Sequence, residues 1–481
     1  MYGPRVSRLL WLLLLAPLAA CGDGARLADA GVDAVDLPAW DPTLPEASVM
    51  GARRGLTPAR GIVHLHSPYS HDACDNHPRP GGVPDEMCLG DLRAALCKTR
   101  IDFADLTDHD ASMADEEFTT LFSMRGNDTA IMRDGMQIAS QIHCEDGHTV
   151  QVTIGGENDI MPIMLDHHPE AESVQARHDI YNGNDAATAA AFRTAGGMVW
   201  LAHTEDKDLD KIRELQPDGI EIYNLHANID PSIRTTYLGL DGASAIAGAV
   251  EFADTQPGHP EPDLAMLAFL SPNMPAITKW QTLLGEGRHI AVTSGSDAHQ
   301  NALPITMADG ERGDSYRRVL RWFSNIALVA NPHDIGQVKA ALEAGRNYSV
   351  FEVFGTPDDF DAYITASGTT YEIGGVIPTA MAADAEMAVS VPTIRGLDAS
   401  LPAPEITALV IHIAPGGTVT TLKTIPAPTT APVHVNLAGA GAYRVEVRIT
   451  PHHLGPYLHD LGTKLADAEY PWIYTSAFYI E

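Results

Sequence analysis

The sequence predicts an α/β domain with its working face at the strand ends, followed by a smaller β-sandwich-like domain. Three observations carry this. From Thr57 to about Phe354, short apolar runs alternate with helical patterns, which implies parallel strands joined by crossovers. Four of those runs end abruptly in Asp or His: GIVHLHSPYSHD (Gly61 to Asp72), IDFADLTDHD (Ile101 to Asp110), MVWLAHTED (Met198 to Asp206) and HIAVTSGSDAH (His289 to His299). Past about Thr356 the helical patterns stop, and short strand candidates are separated by turns rich in Pro, Gly and Ala.

Taken in order, the chain begins with a targeting segment, residues 1–20. Arg5 and Arg8 form a basic flank, and the apolar run Leu9 to Leu15 is too short to span a bilayer. Leu18-Ala19-Ala20-Cys21 resembles the lipobox of bacterial lipoproteins, which implies a lipidated Cys21, a membrane partner and a place in the cell envelope. Gly22 is not the Asp that in many lipoproteins signals retention in the inner membrane, so the resemblance favours the outer membrane. Residues 21–57 then read as a tether, being rich in Ala, Asp, Gly and Pro with little periodicity.

With 481 residues the chain exceeds one ordinary domain. Its formal charge of -32 argues against nucleic acid as a partner, since phosphate backbones are held by Lys and Arg. Beyond Cys21 there are four cysteines, Cys74, Cys88, Cys97 and Cys144. In an exported protein an even number suggests two disulfides, and a Cys74–Cys88 bridge would close the Pro/Gly-rich loop between them. Thiolate ligation of metal is the alternative, though no CxxC pair is present.

Within the first domain, 58–355, helices are expected over Leu89 to Thr99, Ala186 to Ala195, Asp208 to Leu215, Trp280 to Gly287 and Ile335 to Ala344. Four runs that each deliver His or Asp to a strand end would converge on one site at the C-terminal face of a barrel. An open sheet also places ligands at strand ends, but rarely gathers so many imidazoles. In the second domain, 356–481, strands are expected over Tyr371 to Ile377, Glu386 to Val391, Thr407 to His412, Val433 to Leu437, Ala442 to Thr450 and Ile473 to Ile480. The aromatic stretch Tyr470 to Tyr474 reads as core packing in preference to a carbohydrate platform.

His64 and His66, spaced i and i+2, leave the same face of a strand, and paired imidazoles suggest a metal. HLHSPYSHD, TDHD, an apolar strand ending in His203, and SGSDAH, in this order, resemble the PHP (polymerase and histidinol phosphatase) superfamily over about Thr57 to Phe354. The resemblance implies a distorted (β/α)7 barrel with two or three divalent ions (Zn, Mn or Fe) that hydrolyses phosphate esters. It carries over His64 and His66, then His109 with Asp108 as its support, His203, and Asp297 with His299. Where the family has Ser-Asp-Gly, this chain has Ser70-His71-Asp72-Ala73, which leaves His71 or Asp72 as the ligand, with Asp72 preferred. Thr204 stands where many members have Pro. The metal-bridging Glu and the His after it are Glu157 and His168, or else Glu145 and His148. The strand Val150 to Ile154 favours the first pair.

Imidazole nitrogen and carboxylate oxygen suit such ions, and a carboxylate can bridge two of them. Two ions roughly 3.5–4 Å apart activate a water and clamp a phosphoryl group. Asp297 is the candidate catalytic residue, a ligand that also handles the nucleophile's proton. His226 reads as a supporting or substrate-facing group, and His259, His333 and His452 as ordinary polar residues. Arg177, Arg193 and Lys207 are the nearest basic candidates for a phosphate pocket. The function expected is a lipid-anchored metallohydrolase acting on a small phosphorylated substrate. The alternatives are a metal-dependent amidase or other non-phosphate hydrolase, and a non-catalytic envelope binding protein.

Overall fold

The computed structural model describes residues 37–429, 431–437 and 439–481. The targeting segment and residues 21–36 of the tether, Cys21 included, lie outside them. Among the described residues no helix is long and apolar enough to cross a membrane. Residues 40–481 form one compact unit. Its start, part of the stretch read as tether, is packed. Trp40 Nε1 donates to Asp263 Oδ2 at 2.8 Å, and the Pro45 carbonyl accepts from Arg60 Nη1 at 2.6 Å.

The fold is mixed α/β. Eleven strands make up the part that holds the site: β1 (Thr57–Ile62), β2 (Phe103–Leu106), β3 (Thr129–Arg133), β4 (Met136–His143), β5 (Thr149–Ile154), β6 (Met161–Ile163), β7 (Met198–Leu201), β8 (Gly219–Asn224), β9 (Ala291–Gly295), β10 (Ser324–Val329) and β11 (Asn347–Val350). β1, β2 and β5 run parallel, with β4 and β3 continuing antiparallel on one side and β10 and β11 on the other. β7, β8 and β9 form a second parallel set edged by antiparallel β6.

These ladders do not run continuously around a barrel. The two sheets are joined by isolated bridges, Ile154↔Leu165 on one side and Leu65↔Ala298 on the other. Asn325 adds a side-chain splice: its Oδ1 accepts from Ser294 N at 2.9 Å and its Nδ2 donates to the Ser294 carbonyl at 3.0 Å, tying β9 to β10. The Leu65↔Ala298 bridge lies beyond the C-terminal ends of β1 and β9, where the sequence places its His and Asp residues, and Ile154 is the last residue of β5.

Helices cover the outside because their apolar residues recur every three or four positions. Glu86–Lys98 buries Leu89, Leu92, Ala95 and Leu96, and is capped by Asp85, whose carboxylate accepts from Met87 N and Cys88 N. Helices Ala186–Thr194, Met274–Gly285 and Ile335–Glu343 are capped in the same way by Asp185, Asn273 and Asp334. Disulfides join Cys74 to Cys88 and Cys97 to Cys144.

Past residue 356 the described helices are short, such as Gly455–Leu458 and Gly462–Leu465, but the change of texture there is not the end of a sheet. Tyr470–Thr475 pairs with β11, so Glu405–Ile413, Val419–Pro426, Gly441–Thr450, Tyr470–Thr475 and Phe478–Ile480 extend the large sheet. Asp361–Ala366, Thr369–Tyr371, Glu386–Ser390 and Val433–Asn436 form a separate four-stranded antiparallel sheet. The aromatic stretch is core: Trp472 is fully buried and its Nε1 donates to the Gly355 carbonyl.

Candidate metal centre

Beyond β1 the chain bends at Val63 and His64, and His64 and His66 turn their Nε2 atoms to within 3.1 Å of each other, both fully buried. Beyond β9, Asp297 and His299 repeat the i, i+2 spacing against them. The Leu65↔Ala298 bridge zips the two segments together, with Asp297 N donating to the His64 carbonyl and His66 N to the Ala298 carbonyl. Beyond β5, Glu157 reaches the same point, and its N donates to the Asp108 carbonyl.

The deepest group comprises His64, His66, Glu157 and Asp297, all buried. His64 Nε2 stands 3.1 Å from His66 Nε2 and 3.2 Å from Glu157 Oε2. Asp297 Oδ1 is 3.4 Å from His64 Nε2 and 3.3 Å from His66 Nε2. An outer group comprises His66, Asp72, His109 and His299. Asp72 Oδ2 lies 3.0 Å from His299 Nε2 and 3.5 Å from His109 Nε2. On a third side His203 Nε2 is 3.2 Å from both Glu157 Oε1 and Asp297 Oδ2, and His226 Nδ1 is 3.3 Å from Asp297 Oδ2. Glu157 and Asp297 therefore face two sides of the cluster at once.

Two features fit this donor set to divalent cations. Glu157 Oε2, Asp297 Oδ1 and His299 Nε2 are buried and make no hydrogen bond, because their neighbours are close but out of line. Leaving such atoms unpaired in an interior is costly unless something else binds them. Moreover, His64, His66, His109, His203 and His299 each turn Nδ1 to a protein oxygen: Glu221 Oε1, Ser70 Oγ, the Glu157 carbonyl, Glu205 Oε1 and the Asp297 carbonyl. That leaves every Nε2 facing the cluster, the arrangement by which outer partners orient metal-ligating imidazoles.

The electrostatics agree. Burial opposes ionisation, yet His64 and His109 hold Glu157, and His64 and His299 hold Asp297, well below the usual carboxylate range. Against the same burial penalty, the carboxylates push His64 and His203 well up and His66 up to about 9. His109 is depressed, mainly by burial. Without metal, the ionised carboxylates are balanced by imidazolium, a charge that a cation can replace.

Of the residues singled out in the sequence, His64, His66, Asp72, His109, Glu157, His203, Asp297 and His299 come together. Asp72 joins the cluster, while His71 is exposed, its ring 5.3 Å from that of His109. His168 does not join it. Its Nδ1 lies 2.9 Å from Tyr181 Oη and its Nε2 3.0 Å from the Glu116 carbonyl, so both nitrogens are engaged elsewhere. His148 is also elsewhere, with Nε2 on the Ile101 carbonyl and Nδ1 near Glu46. Asp108, expected to support His109, instead accepts from Ser67 N and Oγ, and His109 is oriented by the Glu157 carbonyl and Ser70 Oγ. Sequence reading missed Glu205 and Glu221. Glu205 follows His203 by two positions, a visible signal, whereas Glu221 lies inside the apolar strand GIEIYN, where a lone carboxylate was the clue.

No family model matches the chain, and no curated protein matches it. Among solved structures it is similar to the lesion-specific endonuclease PfuEndoQ from Pyrococcus furiosus, at 11% identity and a TM-score of 0.31. That likeness covers 60% of this chain and 56% of the endonuclease, so the chain spans little more than half the endonuclease's length. It is also similar to PsfC from Pseudomonas syringae PB-5123, at 12% identity and a TM-score of 0.27, over 56% of this chain and 82% of that one. Likenesses at such scores bear on neither fold nor chemistry, for which the geometry above stands alone.

Proposed function

We propose that the protein is a metal-dependent hydrolase of the PHP type, with the strands around the cluster as its distorted barrel, and that it cleaves small phosphate esters at the cell envelope, tethered through a lipidated Cys21. The observation that supports it is the convergence of eight His, Asp and Glu side chains from both sheets with inward-facing ring nitrogens and unpaired buried oxygens. Divalent ions bound there would supply the Lewis acid and the activated water for hydrolysis. Asp297, its carboxyl held well below the usual carboxylate range by His64 and His299, would take the proton of the attacking water. His226 is half exposed on the open side of Asp297, where it can hydrogen-bond the substrate. The paired cysteines support export, since disulfides persist in oxidising compartments.

A second reading, hydrolysis of an amide or another uncharged group, is favoured by the recess beside Asp297 and His299. About 40 Å³ in volume, it is lined by Leu225, Ile229, Met266 and Val319 among others, with no Lys or Arg. The test is elemental analysis of protein purified from residue 22 onward without chelators, with turnover of a panel of aryl phosphates and anilides. Metal with phosphate turnover supports the main reading, and metal with anilide turnover alone supports the second. Folded protein that takes up no metal removes both.

A further inference from the structure

We infer that Glu221 is the positioning residue of the cluster, one carboxylate that orients ligands from both sheets, and that position 295 is glycine to make room for it. The inference rests on the metal-centre reading above.

Glu221 lies in the middle of β8, its side chain 1% exposed, and among the described residues no Lys or Arg forms an ion pair with it. Its Oε1 is 2.8 Å from His64 Nδ1, while Oε2 accepts from His203 N at 3.3 Å and Asn224 Nδ2 at 3.0 Å. His64 follows β1 of the large sheet and His203 follows β7 of the small one. The carboxylate is thus a further cross-tie between two sheets that, among the described residues, share no ladder and meet through isolated bridges and side-chain ties such as Asn325. Each grip has its own consequence. Accepting from His64 Nδ1 fixes the ring with Nε2 toward the cluster and raises its basicity as a ligand. Accepting from His203 N helps hold a left-handed backbone (φ 47°), which a residue with a Cβ adopts only when its surroundings impose it.

Gly295 supplies the space. A Cβ there would sit 1.9 Å from Glu221 Oε1 and 2.5 Å from its carboxyl carbon. Gly295 is not among the glycines with positive φ, so backbone freedom does not explain it. The β8–β9 register shifts between Glu221 and Tyr223, next to the same contact. Any side chain at 295 must therefore displace the carboxylate from His64.

The test is a double-mutant cycle on the full chain, read as metal affinity by competition with a chromophoric chelator, with thermal unfolding of the metal-free proteins alongside. Glu221→Gln keeps an acceptor for His64 but puts an N–H against His203 N or Asn224, and is expected to weaken binding about 10–100-fold, the usual cost of losing an outer partner. Gly295→Ala is expected to weaken it similarly when Glu221 is present and little in a Glu221→Ala background, because the clash partner is gone. Unchanged affinity in both single variants would overturn the inference, as would an equal cost of Gly295→Ala in the two backgrounds. Should a variant fail to fold, the wild type decides: a downfield, exchange-protected Nδ1 proton assigned to His64 in the metal-loaded protein supports the contact, and its absence refutes it. A folded wild type that binds no metal sinks the metal-centre reading instead, a result distinct from metal bound with equal affinity by all variants.

Discussion

The deep donor group and the outer one use the same imidazoles and carboxylates on different supports. His64, His66, Glu157 and Asp297 lie just past β1, β5 and β9; backbone hydrogen bonds on both sides of the Leu65↔Ala298 bridge fix His64, His66 and Asp297, and Glu157 N donates to the Asp108 carbonyl. The outer group depends on Asp72, which belongs to no strand. Its loop continues through Cys74, Asp75 and Asn76, three consecutive non-glycine residues with positive φ. That conformation costs energy at each residue and persists only where contacts impose it. Here they are the Cys74–Cys88 disulfide, the Arg312 fork on the Asp75 carboxylate, and hydrogen bonds from Cys74 N and Asp75 N to the carbonyls of His299 and Gln300. Candidate donors just past the strands are held by ladder-like backbone hydrogen bonds, even at Asp297 with its φ of 51°, and a donor on a loop must be held by its own clamps.

Removing His66 should erase the difference, since it serves both groups: His64→Ala/His66→Ala is expected to leave no stoichiometric metal and no turnover, measured by elemental analysis and a coupled assay. Asp72→Ala should expose it, with loss of outer-site metal while the deep ion stays. Loss of both ions would mean that the groups are one cooperative site. Cys74→Ser/Cys88→Ser attacks the clamp without touching a ligand. Outer-site affinity should fall about tenfold, on the scale of outer-partner losses, and stability by about 3 kcal/mol for a closed loop of this length. Equal affinity would show that Arg312 and the backbone bonds suffice.

Proton release sharpens the comparison further. In the metal-free protein His64, His66 and His203 have raised pKa values, His66 reaching about 9, whereas His109 in the outer group is depressed. Loading the deep group at pH 7 must therefore expel protons, and its affinity should climb with pH up to about 9. The sign for stability follows. Raised imidazole pKa values stabilise the metal-free fold below pH 6.5, and that contribution is lost as pH rises through about 9. Unfolding midpoints of metal-free and metal-loaded protein across pH 6–10 would check it, the loaded form lacking this decline.

The same difference explains what was legible beforehand. Strand-borne ligands could be read because an apolar run ending in His or Asp is a local pattern, and i, i+2 spacing fixes the face. The alternation that pointed to an α/β fold was equally local. Asp72 was harder, since its loop geometry depends on a disulfide and on Arg312, more than two hundred positions away. Glu221 left only the clue of a lone carboxylate in an apolar strand, because such a group shows its role only when the strand opposite is known. The division at residue 356 could be read as a change of texture, but not the pairing of β11 with Tyr470–Thr475, which is a long-range ladder. His168 matched the spacing of a ligand and yet folds onto Tyr181 and Glu116. Spacing alone cannot tell whether a ring nitrogen is already engaged.

His168 therefore supplies the smallest effect and a control. Burial holds it near neutral, with its pKa lowered to about 4, and His453, buried under the Phe354 carbonyl, is lowered likewise to about 4. Unfolded imidazoles bind protons from about pH 6.5 downward, while these two resist until about 4, so the unfolded state takes up more protons across that window. Stability falls as pH drops from about 6.5 to 4, the opposite sign to the cluster. His168→Ala should leave metal content unchanged, cost about 1–2 kcal/mol through the orphaned Tyr181 hydroxyl and Glu116 carbonyl, and flatten part of the acid limb of a urea-midpoint profile. A loss of metal in that variant, with the fold intact, would return His168 to the ligand set and require the Glu116 segment to move.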